Sequence, residues 1–258
     1  MRSSHLVFNA YIGRKKPENI RNRSVACPFC DRDNLEGIIE TRGSIIWLPN
    51  KFNVLEETFQ TVIIETDQCD AELSTYRKDH IYELMSFVVE KWQEMQRSGK
   101  YKSVVLFKNH GPYSGGTIAH PHMQIIGFHE YDYMLHTVPE HFEGVPIHEQ
   151  NGVICNLSTK PRIGFSEFNV ILSNPSSIAQ IEQMADMIQS LTHYILNVLN
   201  QTCKSYNLFF YQLDERICVK VVPRFVSSPL FIGYSIPQVL NNQEETANDV
   251  RQRYFASC

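Results

Sequence analysis

The sequence predicts an α+β protein built of two similar halves, and three observations lead there. The pattern strand, helix, strand, strand occurs twice along the 258 residues. Both long helical segments carry apolar residues at the spacing of an amphipathic helix. The strand segments are short and rich in β-branched and apolar residues. A chain of this length can bury a full core as one large domain or as two of ordinary size. The expected halves are residues 1–150 and 151–258, related by pattern rather than by obvious identity.

In the first half, Ser44 to Leu48 and Thr61 to Glu65 read as strands, joined by the turn Pro49-Asn50-Lys51-Phe52-Asn53-Val54-Leu55. Asp79 to Gln96 reads as a helix, with Ile81, Leu84, Met85, Val88, Trp92 and Met95 on one stripe. Asp79 is its expected N-cap, and Gly99 closes it. The strand Ser103 to Phe107 then leads into a glycine-containing loop and a strand from Pro121 to Phe128. In the second half, Phe168 to Leu172 and Leu208 to Tyr211 flank a helix carrying Ile181, Met184, Ile188, Leu191 and Leu199. Ile217 to Val222 is a further strand, and Gln238 to Tyr254 a terminal helix. His129, His136, His141 and His148 lack ligand-like spacing and are expected on the surface.

Composition narrows the function classes. A net charge of −4 and a pI near 6.2 argue against a protein that grips a nucleic-acid backbone. No apolar run reaches the length of a bilayer span, and Met1-Arg2-Ser3-Ser4-His5 starts no secretory signal. Seven cysteines, an odd number, read as reduced thiols in a cytoplasmic protein, some of them free to ligate metal.

The chemistry gathers in Asn109 to Gln124. Strand alternation would turn His120, His122 and Gln124 to one face. Gly115, Gly116 and Thr117 just before them can bring backbone N–H groups and a hydroxyl against an anion. The combination suggests an imidazole nucleophile beside a phosphate cradle. The basic segment up to Arg23 reads as a solvated arm, with Arg23 the candidate to reach a bound phosphate. Cys27-Pro28-Phe29-Cys30 is a knuckle that can offer two sulfurs to one tetrahedral zinc; a redox pair is the alternative, though no thioredoxin-like strand precedes it. A knuckle is half a site and demands two more ligands. Cys69, at a strand end, is either one of them or a buried free thiol.

These residues resemble the galactose-1-phosphate uridylyltransferase branch of the histidine-triad (HIT) superfamily. Its Phe-x-Asn-x-Gly, eight-residue loop and His-Pro-His-x-Gln are matched without a gap by Phe107, Asn109, Gly111, His120, Pro121, His122 and Gln124. Its nucleotide-pocket turn looks like Asn50 to Leu55, and its knuckle like Cys27 and Cys30. Glu65-Thr66-Asp67-Gln68-Cys69 puts Cys69 where members often carry a histidine ligand. The resemblance implies antiparallel sheets with packed helices, the first HIT-like half catalytic and the second degenerate. It implies structural zinc on Cys27, Cys30, Cys69 and His120. Asn109, Ser114, Gly115, Thr117 and Gln124 would hold an α-phosphate, and Asn50 and Phe52 would line the nucleoside pocket.

A neutral His122 can attack an α-phosphorus and split one transfer into two steps. Gln124 cannot shuttle a proton but can donate hydrogen bonds as charge develops, which suits phosphate acceptors better than water or amines. The expected function is therefore nucleotidyl transfer from a nucleoside diphosphate (sugar) donor to a sugar phosphate or phosphate. A phosphorylase of nucleoside-diphosphate sugars or dinucleoside polyphosphates is the enzyme alternative. A zinc-stabilised nucleotide-binding module without turnover is the other. The partners expected are small molecules, with no nucleic acid and no membrane, and a homodimer is allowed. Lys51 stands where uridylyl members carry an aspartate. Pro229 to Ser235 keeps the Gly and Tyr of the hexose-phosphate stretch without its cation and carboxylate, and Cys218-Val219-Lys220 replaces a second metal's His-x-His. The residues thus fix neither base nor sugar.

Overall fold

The β-branched runs form ten strands: β1 (Glu40–Arg42), β2 (Ile45–Pro49), β3 (Thr58–Ile64), β4 (Ser103–His110), β5 (His122–Phe128), β6 (Gly144–Gln150), β7 (Val153–Ser158), β8 (Phe168–Leu172), β9 (Tyr206–Leu213) and β10 (Arg216–Pro223). This computed structural model describes residues 5–200 and 202–256; Met1 to Ser4, at the start of the stretch read for a signal, and Cys258 lie outside them. All neighbouring strands are antiparallel. Their order, β1-β2-β3-β5-β4-β9-β10-β8-β7-β6, reads the same from either edge once each first-half strand is matched to its second-half counterpart. The α+β architecture of two fused HIT-like halves is what the motifs imply. The two expected sheets are one, joined where β4 pairs with β9.

Helices α2 (Lys78–Arg97) and α3 (Ile178–Tyr194) pack together against one face of this sheet. The predicted stripe of α2 is buried there with Ile45, Trp47, Ile63, Met123 and Ile125, and α3 joins the same core with Val170, Val219 and Phe210. Burying a leucine- or isoleucine-sized side chain is worth about 1.5–3 kcal/mol, so this shared core binds the halves into one unit. α2 starts one residue earlier than the sequence suggests. Arg77 is its N-cap, and Asp79 sits in the first turn, where its charge still suits the positive end of the helix. Beyond α3 the chain widens into a π turn, Ile195–Leu199. α1 (Ala10–Gly13), α4 (Pro229–Tyr234) and α5 (Gln243–Tyr254) complete the set. Among the described residues, no helix is long and apolar enough to cross a membrane.

Alternation leaves Ile46, Leu48, Val62 and Ile64 on the other face, where Phe29 and Leu35 lean against them. On the second-half strands that face is filled. Phe142 and Met134, from the connection between β5 and β6, pack on Leu213, Cys218, Ile171 and Tyr211. Lys220 forms a buried pair with Glu167 at 2.9 Å, supported by Asn169 Oδ1 at 3.1 Å.

Candidate nucleotide and metal site

Met123 and Ile125 point into the helix-side core, so His122 and Gln124 project from the opposite face. Gln124 lies between Val62 of β3 and Phe107 of β4. His120 precedes the strand, so alternation does not place it beside His122. Its ring is wholly buried. Nδ1 sits 3.6 Å from the sulfurs of both Cys27 and Cys30, and Nε2 donates to the Thr66 carbonyl at 2.8 Å. The ligand atoms of Cys27, Cys30, Cys69 and His120 all lie within 4.8 Å of one another. These four side chains can hold a metal ion. The bond to Thr66 fixes the tautomer that leaves Nδ1 free to ligate, a common support for metal-bound histidine.

Phe29, between the knuckle cysteines, contacts both rings edge-on, at 5.9 Å from His120 and 5.3 Å from His122. His122 Nδ1 donates to the His120 carbonyl at 2.8 Å, since a carbonyl can only accept. Nε2 is therefore the unprotonated nitrogen. Burial pushes the His122 pKa down to about 4, against the upward pull of that hydrogen bond and with a further downward push from Lys108. The ring is neutral at neutral pH, the state a nucleophile needs.

His122, Gln124, Asn109, Gly115, Gly116 and Thr117 line one small cavity of about 70 Å³, together with Lys16. Gly115, at φ +87°, adopts a backbone that side-chain-bearing residues rarely take. Asn50, Phe52, Phe29, Val62 and Ile118 line the same cavity and continue into a larger one of about 670 Å³ between the knuckle and the Asn50–Phe52 turn. Asn50 shapes that turn by accepting the Phe52 N–H at 2.9 Å.

Two expected residues sit elsewhere. Ser114 is buried outside the lining, its hydroxyl donating to the Gly111 carbonyl at 2.7 Å and accepting from Gly116 N–H at 3.3 Å, so it shapes the loop. Arg23 is exposed and outside both cavities. The basic segment is no solvated arm. Asn19 N–H donates to the Thr117 carbonyl at 2.9 Å and its Oδ1 accepts from Ala119 N–H at 2.7 Å, which ties the segment across the loop and brings Lys16 to the cavity. Burial lowers the Lys16 pKa. The only sequence signal for Lys16 was its place before Pro17 in a basic run, and for Phe29 its place inside the knuckle.

Comparison with known proteins identifies the family and the fold. Residues 8–131 match the N-terminal domain, and residues 134–255 the C-terminal domain, of DUF4931, a domain of unknown function. A DUF4931 family protein from Bacillus cereus is 45% identical, with 85% of this chain and 100% of that one covered at a TM-score of 0.77. An ADP-glucose phosphorylase from Arabidopsis thaliana aligns over 96% of this chain and 95% of its own, at 14% identity and a TM-score of 0.71. A uridylyltransferase aligns over 88% and 90%, at 16% identity and 0.69. A di-/tripeptide transporter from Lactobacillus helveticus is 30% identical over 92 residues, 36% of this chain but only 18% of that protein. The phosphorylase and the uridylyltransferase share the fold. On the match of both halves and of the whole Bacillus protein, the chain belongs to the DUF4931 family.

Proposed function

We propose that this protein is a nucleotidyltransferase acting through a covalent nucleotidyl-His122 intermediate. The observation that carries the reading is the His122 ring, neutral, fixed by its Nδ1–H bond to the His120 carbonyl, and lining a cavity with Asn109, Gly115, Thr117 and Gln124. The Nε2 lone pair attacks the α-phosphorus of a nucleoside diphosphate sugar. The bond to the leaving phosphate oxygen breaks, and the sugar phosphate departs already ionised, so no proton has to be supplied. A phosphate oxygen of the acceptor, from a sugar phosphate or inorganic phosphate, then attacks the same phosphorus and breaks the P–N bond. Lys16 and the loop N–H groups face the charge that develops, and Gln124 donates to it. The nucleoside lies in the larger cavity against Phe52 and Phe29. The partners are thus small phosphorylated molecules.

The four-residue cluster takes structural zinc. A tetrahedral ion with Zn–S near 2.3 Å and Zn–N near 2.05 Å spaces nitrogen and sulfur by roughly 3.6 Å, the distance His120 Nδ1 keeps from Cys27 and Cys30. When bound, zinc would tie the knuckle to the base of β5 and hold the strand that carries His122. Metal analysis of Cys69→Ala should show loss of zinc; full occupancy would remove Cys69 from the ligand set.

Intact-mass spectrometry after brief mixing with a panel of nucleoside diphosphate sugars and dinucleoside polyphosphates tests the chemistry. The expected result is a gain of one nucleoside monophosphate that names the base. Nucleotide binding without any adduct would instead favour a non-catalytic module. Competition between inorganic phosphate and sugar phosphates for the adduct would separate phosphorolysis from transfer.

A further inference from the structure

Asn109 lines the phosphate cavity, but the group that orients it comes from the other half of the chain. Across the β4–β9 seam Asn109 pairs with Asn207, which is wholly buried. Asn207 Nδ2 donates to Asn109 Oδ1 at 2.6 Å, to the Ser114 carbonyl at 3.0 Å and to the Lys108 carbonyl at 3.3 Å. Its Oδ1 accepts from Arg224 Nη1 at 2.6 Å. These partners leave neither amide a choice of orientation. A guanidinium only donates, so the Asn207 oxygen must face Arg224. Backbone carbonyls only accept, so the Asn207 nitrogen must face them, and the Asn109 oxygen with them. Asn109 is left with its Nδ2 donors for the cavity.

We propose that Asn207 and Arg224 are positioning residues, a relay in which a cation of the second half sets Asn109 to donate to a bound phosphate. The proposal rests on the nucleotidyl-transfer reading of the cavity. A reversed Asn109 would present an oxygen to phosphate oxygens, replacing a hydrogen bond to a charged group with a repulsion. The second half also fixes the loop itself. Tyr113 N–H donates to Ser205 Oγ at 3.0 Å, and at Gly111, with φ +80°, an added Cβ would collide with the Lys204 carbonyl oxygen.

Asn207→Asp tests the relay at constant side-chain size. The new carboxylate draws the Asn109 Nδ2 towards itself and turns its oxygen to the cavity. Calorimetric titration with uridine and adenosine monophosphates, and with the parent nucleosides, is the measurement. The expected result is a loss of at least about tenfold in monophosphate affinity, the weight of one charge-assisted hydrogen bond, with nucleoside affinity changed by less than about twofold. Nucleoside and monophosphate affinities falling together, or neither falling, would overturn the proposal. Arg224→Met, which removes the donor at the head of the relay, gives the same split in a second background should Asn207→Asp not fold.

Failure of the wild type to bind either monophosphate would count against the nucleotide reading. The relay is then read without ligand, from hydrogen exchange of the Asn207 carboxamide in isotope-labelled protein. Slow exchange in the wild type, accelerated at least about tenfold in Arg224→Met, supports it; rapid exchange in the wild type overturns it.

Discussion

The two halves use one scaffold and treat its helix-free face in opposite ways. In the first half, residues 111–121 separate β4 from β5, and the face beside His122 stays open as two connected cavities. In the second half, β9 and β10 are joined by the tight turn Asp214-Glu215. The corresponding face is closed by Phe142 and Met134, with Lys220 and Glu167 sealed beneath. Asn156 Nδ2 donates to the Phe142 carbonyl and Ser158 Oγ to the His141 carbonyl, both at 3.0 Å, so the cover is bonded down as well as packed. A loop between two strands lines the open cavity here. Without it, the same strands become an anchor for their neighbour.

The largest effect should come from the open half. His122→Ala should abolish adduct formation, a fall of more than about a thousandfold, measured as single-turnover adduct by mass. An adduct that persists would place the nucleophile elsewhere. The matching change in the closed half is Lys220→Met. It strands a buried carboxylate and should cost about 3–5 kcal/mol of stability in urea unfolding, while adduct formation per folded molecule is unchanged. If activity falls and stability does not, the second half is not merely an anchor at that face.

The same pair gives a signed pH effect. Burial raises the Glu167 pKa, but the Lys220 charge and hydrogen bonds from Lys220 and the Arg162 and Ile163 N–H groups outweigh it and hold the carboxyl below its ordinary value. Its contribution is present above the unfolded carboxyl pKa and is lost as pH falls through the depressed folded value. The stability gap between wild type and Glu167→Gln should therefore narrow on acidification; a gap constant with pH would refute the charge state.

Smaller changes sharpen the picture of the cavity. Gln124→His supplies the proton shuttle that the site lacks and should shorten the adduct's lifetime towards water by about tenfold. An unchanged lifetime would remove Gln124 from the reacting centre. Lys16→Ala should weaken monophosphate binding by about fivefold, as a partly exposed cation on an anion allows, with Arg23→Ala nearly silent. Reversed ranks would restore Arg23.

Much of this was legible because local pattern and local structure agree. Phe168 to Leu172 is the strand its β-branched composition suggests, and the stripe of α2 needs only helical spacing to be read. Cys27, Cys30 and the His122 strand were readable from Cys27-x-x-Cys30 and His120-Pro121-His122 because each is a compact motif, whereas Cys69 joined the cluster only through the family resemblance. What stayed hidden depends on contacts made far along the chain. Asn207 is one asparagine in an apolar strand, and its meaning comes from Asn109, almost a hundred residues away. The place of Lys16 is set by Asn19 gripping Thr117 and Ala119, an arrangement with no periodicity to betray it. Arg23 had the right charge, and charge alone does not specify direction.

The central seam also bears on how the chain is made. β4 is complete near residue 110, but its partner β9 begins at residue 206. At roughly 5–20 residues per second of synthesis, the first half waits about 5–20 s with a raw strand edge before its own second half can cover it. During that interval the nascent edge is a template for any extended peptide, including another copy's. Chaperone dependence of expression, and edge-to-edge dimers of fragments that stop short of β9, are where that exposure would be felt.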